Sequence, residues 1–481
     1  MENEDFKCYF VVLAPFQCCI DSLPQNSLPG DLGYAVEVST IFTDITPLKV
    51  SRDYRRLWIG NSLSAIGTQL TLVAVSLEIF ALTGSSAYVG LLGAFALLPL
   101  IITGLYGGAI ADHVDRRKVA LYSALILWLT TVAICLHAWL GIENIWLLYG
   151  LIAVHSGASG INQPTRGAII PALVGTELLA SANALNMLSM SISMMLGPLL
   201  AGGLVATIGY SWTYTIDAVT FLLTLYAVYR LPALPPVHPE GQAPTDRKVG
   251  LRSVWEGFRF LATRKNLRMT FILDIIAMAT AFPRAVLPAM GVLIIGSSYA
   301  QGINGSADDP AELITGLLLA GIAAGAFIAG LFSGTFTRIT AQGKAVYWSI
   351  VVWGVSIALF GLFGWLAIRS AANGEPSLVL LCAAVAMLMV AGAADSVSGI
   401  FRNTILQTAT PDHLRGRLQG VFIVVVAGGP RVGEMLTGAV SAGIGEAVTM
   451  MLGGLLCVFA ATLAVRLVPG FLRYDARTPV A

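Results

Sequence analysis

The amino-acid sequence predicts an all-α integral membrane protein with twelve transmembrane helices in two pseudo-symmetric six-helix bundles. Composition gives the first indication, because 56% of the 481 residues are hydrophobic and only 11% are charged, against roughly 25% in a soluble domain. The apolar residues form twelve stretches of about 20 residues or more, the length that crosses a bilayer as a helix. A long polar segment after residue 231 divides these stretches six and six.

Charged and Pro/Gly-rich breaks set the bounds of the predicted spans. In chain order the spans cover 56–82, 86–111, 118–140, 145–166, 179–206, 210–231, 267–295, 311–336, 345–369, 377–401, 416–442 and 446–469. The bundles then occupy 51–231 and 267–473, with a cytoplasmic linker over 232–266 and a tail over 474–481. Residues 1–50 lack the basic start of a signal peptide. We expect a loosely ordered cytoplasmic extension there, with an overlong translation start as the alternative.

Basic residues indicate the orientation of the chain, because Lys and Arg concentrate in cytoplasmic loops. With both termini in the cytoplasm, only Arg369 falls in an outward loop. The inward positions are Arg52, Arg55, Arg56, Arg116, Arg117, Lys118, the central linker, Lys344, Arg415, Arg417 and Arg473. The net charge is only +1, so the composition does not point to a nucleic-acid partner.

Cofactor motifs are missing from the sequence. Its six cysteines have no CxxC spacing and no matching histidine cluster, so neither a disulfide framework nor a metal site is expected. The Gly343–Lys344 pair lacks the upstream glycine of a phosphate-binding loop. The sequence also has no nucleophile–base pair or appended soluble domain, and we therefore expect neither a cofactor nor an enzymatic activity.

One charged loop interrupts the apolar sequence of the first half. The stretch GGAIADHVDRRKV fits the pattern G-x-x-x-D-x-x-G-R-R/K with Gly108, Asp112, Arg116 and Arg117 in register, and Asp115 where glycine is usual. In this motif the chain resembles the major facilitator superfamily. The resemblance implies that Asp112 caps a helix of the other half and that the arginines pair with carboxylates, a latch that favours one access state. A positive-inside loop without a gating role is the alternative.

Three further stretches narrow the resemblance within that superfamily. They are DYRRLWIGNSLSAIGTQLTLVAVSLEIFALTGSS, AFPRAVLPAM and FRNTILQTATPDHLRGRLQGVFIVVVAGGPRVGE. They are similar to the branch that contains siderophore exporters of the enterobactin type and drug efflux proteins. Gly197, Pro198 and Gly202 also resemble the Gly-Pro motif of antiporters, although glycine and proline serve helix packing in membranes generally.

This resemblance implies a monomeric exporter in the bacterial cytoplasmic membrane. It would move a siderophore or a similar amphiphilic small molecule out of the cytoplasm in exchange for protons. A broad-specificity multidrug/proton antiporter of the same fold is the alternative. A transport-inactive membrane sensor is a more distant alternative.

Proton coupling requires titratable groups inside the membrane, where their cost makes them functional candidates. Each candidate has a structural alternative. Arg431 and Glu434, three residues apart, can neutralise each other; Asp217 and Asp274 lie near predicted helix ends, where water hydrates them. The candidates are Glu78, His155, Asp217, Asp274, Arg284, Asp395, Arg431 and Glu434.

Two of these candidates differ in their surroundings. Asp395 has no basic residue within one helical turn, and hydrogen bonds to neighbouring serines are the alternative to a coupling role. His155 lies where the family would place an arginine, so a satisfied core histidine competes with a proton-transfer role. Glu78 lies close to the outer end of its span and could reach water there.

A methionine stripe is the candidate for cargo contact. Flexible, polarizable side chains tolerate varied ligand shapes, but packing or lipid contact explains such a stripe equally. The stripe contains Met187, Met190, Met194 and Met195, beside Asn183 and Asn186.

Overall fold

The computed structural model describes residues 44–113, 115–175, 178–233, 259–295, 310–332, 339–409 and 412–475. Within these ranges the side chains of 105–113, 168, 180, 295, 310, 407, 412–424 and 427 are not described. The described residues form helices joined by short turns. The fold is therefore the all-helical one that the sequence predicts.

The first half contains six helices: α1 Thr46–Val50, α2 Arg52–Thr83, α3 Ser86–His113, α4 Arg116–Trp139, α5 Ile145–Val174 and α6 Leu179–Tyr229. The second half contains α7 Lys265–Ala281, a short 3-10 helix Arg284–Val286, α8 Leu287–Ile295, α9 Pro310–Leu331, α10 Gln342–Ala372, α11 Leu378–Thr408, α12 Asp412–Ile444, α13 Glu446–Leu467 and a 3-10 helix Pro469–Arg473.

Nine helical segments of the described residues are long and apolar enough to cross a membrane. Helix α6 is one of them. Its 51 residues bend at Gly209, where φ is 79°, and at 1.5 Å per residue it is roughly 75 Å long, enough to cross twice. Helices α5 and α12, with 30 and 33 residues, lie outside the nine. The count of twelve spans stays a prediction that these lengths favour.

Consecutive helices reverse direction, which gives the bundle two ends. The turns at Gly84, Gly141, Gly374 and Gly445 share one end, named here the Gly84 end, and all four glycines have φ between 61° and 85°. Glycine adopts this left-handed conformation without the Cβ penalty that other residues meet. The opposite end carries the turn before α4 and is named the Asp115 end.

Within each half, long apolar helices pack around a shared core. Helix α2 packs along α6 and α3 along α5; in the second half α10 packs along α11 and α13, and α7 along α12. The halves meet mainly through two helix pairs, α3 with α12 and α6 with α9. These two pairs define the interface between the halves.

Glycines bring the helices of this interface into backbone contact. In the α6–α9 pair, a methyl group on Gly202 would collide with the Glu312 carbonyl and the Gly316 backbone. In the α3–α12 pair, a methyl group on Gly438 would meet the Gly90 backbone. Such glycines permit the close approach typical of membrane helices. All of these glycines lie in the helix halves nearest the Gly84 end.

A hydrogen bond adds to the contact at the same end. The Ser86 hydroxyl, on the first residue of α3, donates to Glu446 Oε1 on the first residue of α13 at 2.9 Å. The carboxylate also sits in the first turn of its own helix, where the helix dipole favours negative charge. The two halves are thus joined at the Gly84 end.

This contact predicts opposite outcomes for two adjacent glycines. Gly202→Ala places a methyl group against the α9 backbone and should separate the halves at the Gly84 end. In Gly203→Ala the new methyl group meets only Leu313 Cδ1, at 3.9 Å. With cysteines at positions 86 and 446 in a background without native cysteines, Gly202→Ala should lower the disulfide cross-linking yield several-fold. Gly203→Ala should retain the cross-linking yield of the parent. Equal yields in the two variants would contradict the contact between α6 and α9 at the Gly84 end.

Candidate functional site

Three charged side chains meet inside the second half. Arg402 on α11 contacts Asp274 Oδ1 on α7 through Nη1, and its Nη2 lies 3.4 Å from Asp395 Oδ1 on α11. The side chains of Arg402 and Asp274 are 7% and 5% exposed, whereas that of Asp395 is 40% exposed. One guanidinium therefore serves two carboxylates that differ in access to solvent.

The partly exposed Asp395 lies on the face of α11 that carries buried residues. Asp395 lies seven residues after Leu388 and seven before Arg402, so all three share one face of α11. Leu388 and Arg402 are both buried. The exposed residues Ala386 and Val390 lie on the opposite face. Asp395 is therefore placed to meet both Arg402 and solvent within the bundle.

Arg402 was not among the sequence-predicted candidates. The prediction looked one turn from Asp395, but Arg402 lies two turns away on the same face, and its second partner is 128 residues distant along the chain. Asp274 is buried in the ion pair, so the interfacial hydration considered for it is excluded. Asp395 accepts a hydrogen bond from Arg402 and not from the neighbouring Ser398. The Ser398 hydroxyl is buried without a hydrogen-bond partner in the described part of the chain.

A second charged cluster lies closer to the Gly84 end. Arg431 Nη1 donates to Glu434 Oε2 at 3.1 Å, which is the pairing that the three-residue spacing predicts. Arg284, from the 3-10 helix between α7 and α8, adds a second guanidinium with its Nε 3.8 Å from Glu434 Oε1. All three residues line one cavity between the halves.

Buried acids of the first half have hydroxyl partners. Tyr214 donates to Glu78 Oε2 at 2.6 Å, and His137 Nδ1 lies 3.5 Å from the other oxygen of that carboxyl. Glu78 is only 8% exposed, which disfavours the alternative that it reaches water. Neither Tyr214 nor His137 was a sequence-predicted site residue, because both are far from Glu78 along the chain.

Asp217 and His155 have single hydroxyl neighbours. The Thr71 hydroxyl donates to Asp217 Oδ2 at 2.5 Å, and Asp217 is fully buried, so water does not hydrate it as the helix-end alternative supposed. His155 Nδ1 lies 3.2 Å from the Thr130 hydroxyl and is buried. The histidine therefore has the environment of a satisfied core residue.

The charged loop joins α3 to α4 at the Asp115 end. The side chains of Gly108 and Asp112 lie outside what the structure describes. Asp115, which departs from the motif's glycine, is the N-cap of α4 and accepts from the Arg117 backbone N–H at 3.0 Å. Arg117 donates through Nη2 to the Tyr229 carbonyl at 2.6 Å. Tyr229 is the last residue of α6, and a cation stabilises the C-terminal end of a helix. This contact is with a backbone carbonyl rather than the carboxylate that the resemblance implies.

The Gly-Pro residues of α6 lie at contacts with both halves. Gly197 packs on the Gln69 side chain of α2, within the first half. Pro198 contributes its carbonyl and Gly202 its backbone to the contact with Gly316 of the second half. Pro198 and Gly202 therefore belong to the interface between the halves near the Gly84 end, whereas Gly197 packs within the first half.

Comparison with known proteins gives consistent relationships over nearly the whole chain. Residues 42–475 match the family described as transmembrane secretion effector, within the major facilitator superfamily. The enterobactin exporter EntS of Citrobacter koseri is 28% identical over 439 residues, which cover 91% of this chain and 97% of the exporter.

Solved structures share the fold at low sequence identity. The nucleoside transporter NupG superposes with a TM-score of 0.65 at 14% identity, covering 88% of this chain and 98% of that one. A bacterial homologue of the human lysosomal transporter Spinster, in an inward-facing and unoccupied conformation, gives 0.61 at 16% identity, with coverages of 90% and 97%. These likenesses establish the fold alone.

The shared guanidinium predicts a strong dependence of stability on Arg402. Arg402→Gln leaves Asp274 buried without its cation, and breaking a buried pair costs about 3–5 kcal/mol. The double variant Asp274→Asn/Arg402→Gln removes the orphaned charge and should recover much of the loss. Melting of the purified protein in detergent measures both effects.

The same substitution at an exposed pair is the control. Arg56 pairs with Asp53 at 3.4 Å, with both side chains about one-third exposed, so Arg56→Gln should cost no more than about 1 kcal/mol. If Arg402→Gln and Arg56→Gln melt at the same temperature, the cluster does not stabilise the bundle.

Proposed function

Because the chain belongs to the transmembrane secretion effector family of the major facilitator superfamily, we propose that it exports an amphiphilic small molecule by proton antiport. The cargo we propose is a siderophore of the enterobactin type or a similar molecule, consistent with the name of the relative from Citrobacter koseri. The observation that carries the coupling is the pairing of Asp395 and Asp274 on the single guanidinium of Arg402.

The proposed direction of transport depends on which side of the membrane each end of the bundle faces. With both termini in the cytoplasm of a bacterium, as the basic loops favour, the Gly84 end faces outward. The glycine contacts and the Ser86–Glu446 hydrogen bond would then close the protein toward the outside. This arrangement supports a state that loads cargo from the cytoplasm.

Methionines on α6 supply a lining for cargo. Met190 and Met194 precede Pro198 and Gly202 at four-residue intervals, so the four residues form one inclined row on α6 that runs into the contact with α9. Met187, one turn before Met190, extends the same stripe. All three methionines are exposed. We propose that they border the space between the halves, below the glycine contact, and make adaptable contacts with cargo.

Coupling in this proposal depends on competition for Arg402. When Asp395 is ionised, it shares the guanidinium with Asp274, and the cluster carries one excess negative charge. When Asp395 takes a proton, Arg402 pairs with Asp274 alone, and the link within α11 loosens. A proton that moves inward gains about 2.3 kcal/mol per 100 mV of membrane potential, which drives export when the two movements are coupled.

The residues of the two family motifs lie at opposite ends of the bundle. We propose that Asp112 acts as a latch at the Asp115 end, next to the capping contact that Asp115 makes with the start of α4. The Gly-Pro residues of α6 would form the matching contact at the other end. We propose that the two bundles span 51–231 and 267–473, with one copy of the chain as the transporting unit.

A multidrug/proton antiporter is the alternative function. The exposed methionine stripe favours it, because flexible side chains suit cargo of varied shape. The two functions differ in how many unrelated molecules are accumulated. Transport of a wide range of cationic and neutral dyes would favour the multidrug function, whereas selective transport of a catecholate siderophore would favour the first.

Inverted vesicles given a pH step test function and coupling together. Wild-type vesicles, acidic inside, should accumulate enterobactin, and Asp395→Asn should reduce the proton-driven accumulation to the level of vesicles without the protein, because the titratable group is lost. Asp53→Asn, which changes an acid of the exposed pair near the start of α2, is the control and should transport normally. Unchanged proton-driven accumulation in Asp395→Asn would remove Asp395 from the mechanism.

A further inference from the structure

The cavity between the halves has a charged wall with two guanidiniums and one carboxylate. Arg284 and Arg431 come from different segments of the second half and converge on Glu434. Glu434 is only 6% exposed, but the side chains of Arg284 and Arg431 are 28% and 22% exposed. The guanidiniums therefore offer free donor surface to the cavity, whereas the carboxylate lies behind them.

The charges of this cluster do not balance. Two cations and one anion leave a net positive charge among the described residues of the cavity wall. The Glu434 carboxylate also lies closer to Arg431, at 3.1 Å, than to Arg284, at 3.8 Å. A guanidinium has five N–H donors, and a cation in an apolar surrounding is stable only when an anion satisfies it. The wall thus has the chemistry of a site for one more anion.

The opposite walls come from the first half and are apolar apart from Ser76. Leu72 and Val75 of α2, Val89 and Leu92 of α3 and Ile152 of α5 face the cavity. Its volume is about 30 Å³, room for one or two water molecules. The space thus fits a small charged group and not an entire amphiphile, with apolar surface beside it for the carbon atoms next to that group.

From this geometry we propose that the cavity binds an oxyanion carried by the cargo, such as a carboxylate, sulfonate or phenolate on an apolar body. The proposal deepens the proposed function and rests on it for the identification of the ligand as cargo. The oxyanion would take charge-assisted hydrogen bonds from Arg284 and Arg431 in the fork geometry that guanidinium groups favour. Glu434 is then a competitor that holds the two arginines in place while the site is empty.

The position of the cavity connects ligand binding to the closed end. Gly93 of α3 packs directly on the Arg431 carbonyl and the Glu434 side chain, so the arginine wall belongs to the same α3–α12 contact that joins the halves. An oxyanion between this wall and the apolar residues of α2 and α3 touches both halves at once. The cargo class that fits is therefore an amphiphilic anion rather than an amphiphilic cation.

Equilibrium binding with a matched pair of probes tests the proposal. Naphthalene-2-carboxylate and naphthalene-2-carboxamide have nearly the same shape and differ in charge. The purified full-length protein in nanodiscs should bind the carboxylate at least about tenfold more tightly, in line with a charge-assisted interaction. Arg431→Gln or Arg284→Gln should bring the two affinities close together and leave amide binding unchanged.

Substitution of the competitor gives a result of opposite sign. Glu434→Gln removes the internal anion and should strengthen carboxylate binding severalfold, a gain that a merely destabilised variant does not produce. Arg369→Gln is the matched control, because Arg369 lies at the exposed end of α10 with its guanidinium over the Trp365 ring. It should retain the preference of the wild type for the carboxylate.

Equal binding of the two probes to the wild type, no carboxylate binding, or weaker carboxylate binding in Glu434→Gln would each overturn the proposal. These outcomes are separable from failure of the proposed function. Carboxylate preference without transport in inverted vesicles would retain the site and reject export. Proton-driven export by a protein that shows no preference for the carboxylate would retain export and reject the anion site.

Discussion

A charge inside an apolar helix bundle needs a counter-charge or a proton, and this requirement organises the second half of the molecule. Breaking such a pair is costly because the remaining ion is left without water. Arg402 satisfies Asp274 fully and Asp395 in part, and the two arginines near the Gly84 end share Glu434. One cluster therefore has an excess carboxylate and the other an excess guanidinium. Each cluster has at least one partly exposed charged side chain, so protons or ligands from solvent can change its net charge.

The first half solves the same problem in another way. Its buried acids Glu78 and Asp217 accept hydrogen bonds from Tyr214 and Thr71. These contacts hold α2 against α6 within one half. The cluster of Arg284, Arg431 and Glu434 instead lines the cavity between the halves. We therefore infer that the first half supplies a rigid apolar wall and that the second half supplies the charges that respond to protons and cargo.

Glycine determines where the halves touch. Contacts through Gly90, Gly202, Gly316 and Gly438 bring helix backbones together near one end, and the face of α6 below this contact carries exposed methionines. The Asp274–Arg402–Asp395 cluster lies farther toward the Asp115 end than the arginine cavity, because Asp274 precedes Arg284 by ten residues along the same span. A proton that moves inward from the Gly84 end would thus pass the arginine wall before it reaches the acidic cluster.

Sequence reasoning predicted the helices well, because hydropathy and turn glycines are local properties. It also predicted the Arg431–Glu434 pair, because residues three apart on a helix lie on the same face and contact each other. It missed Arg402, although a spacing of seven residues from Asp395 places both on one face. The partners of Glu78 and Asp217 have no local signal, because Tyr214 and Thr71 lie 136 and 146 residues away along the chain. Only the packing of α2 on α6 brings these groups together.

Solvent access to position 395 tests the proposed coupling most directly. In a background without native cysteines, Asp395→Cys should react with a membrane-impermeant maleimide added to the cytoplasmic face of inverted vesicles. The same cysteine should stay unlabelled when the reagent is added to the outer face of intact cells, with Glu78→Cys protected on both sides. Labelling of position 395 from the outer face alone would contradict both the closed Gly84 end and the route by which cargo reaches the site from the cytoplasm.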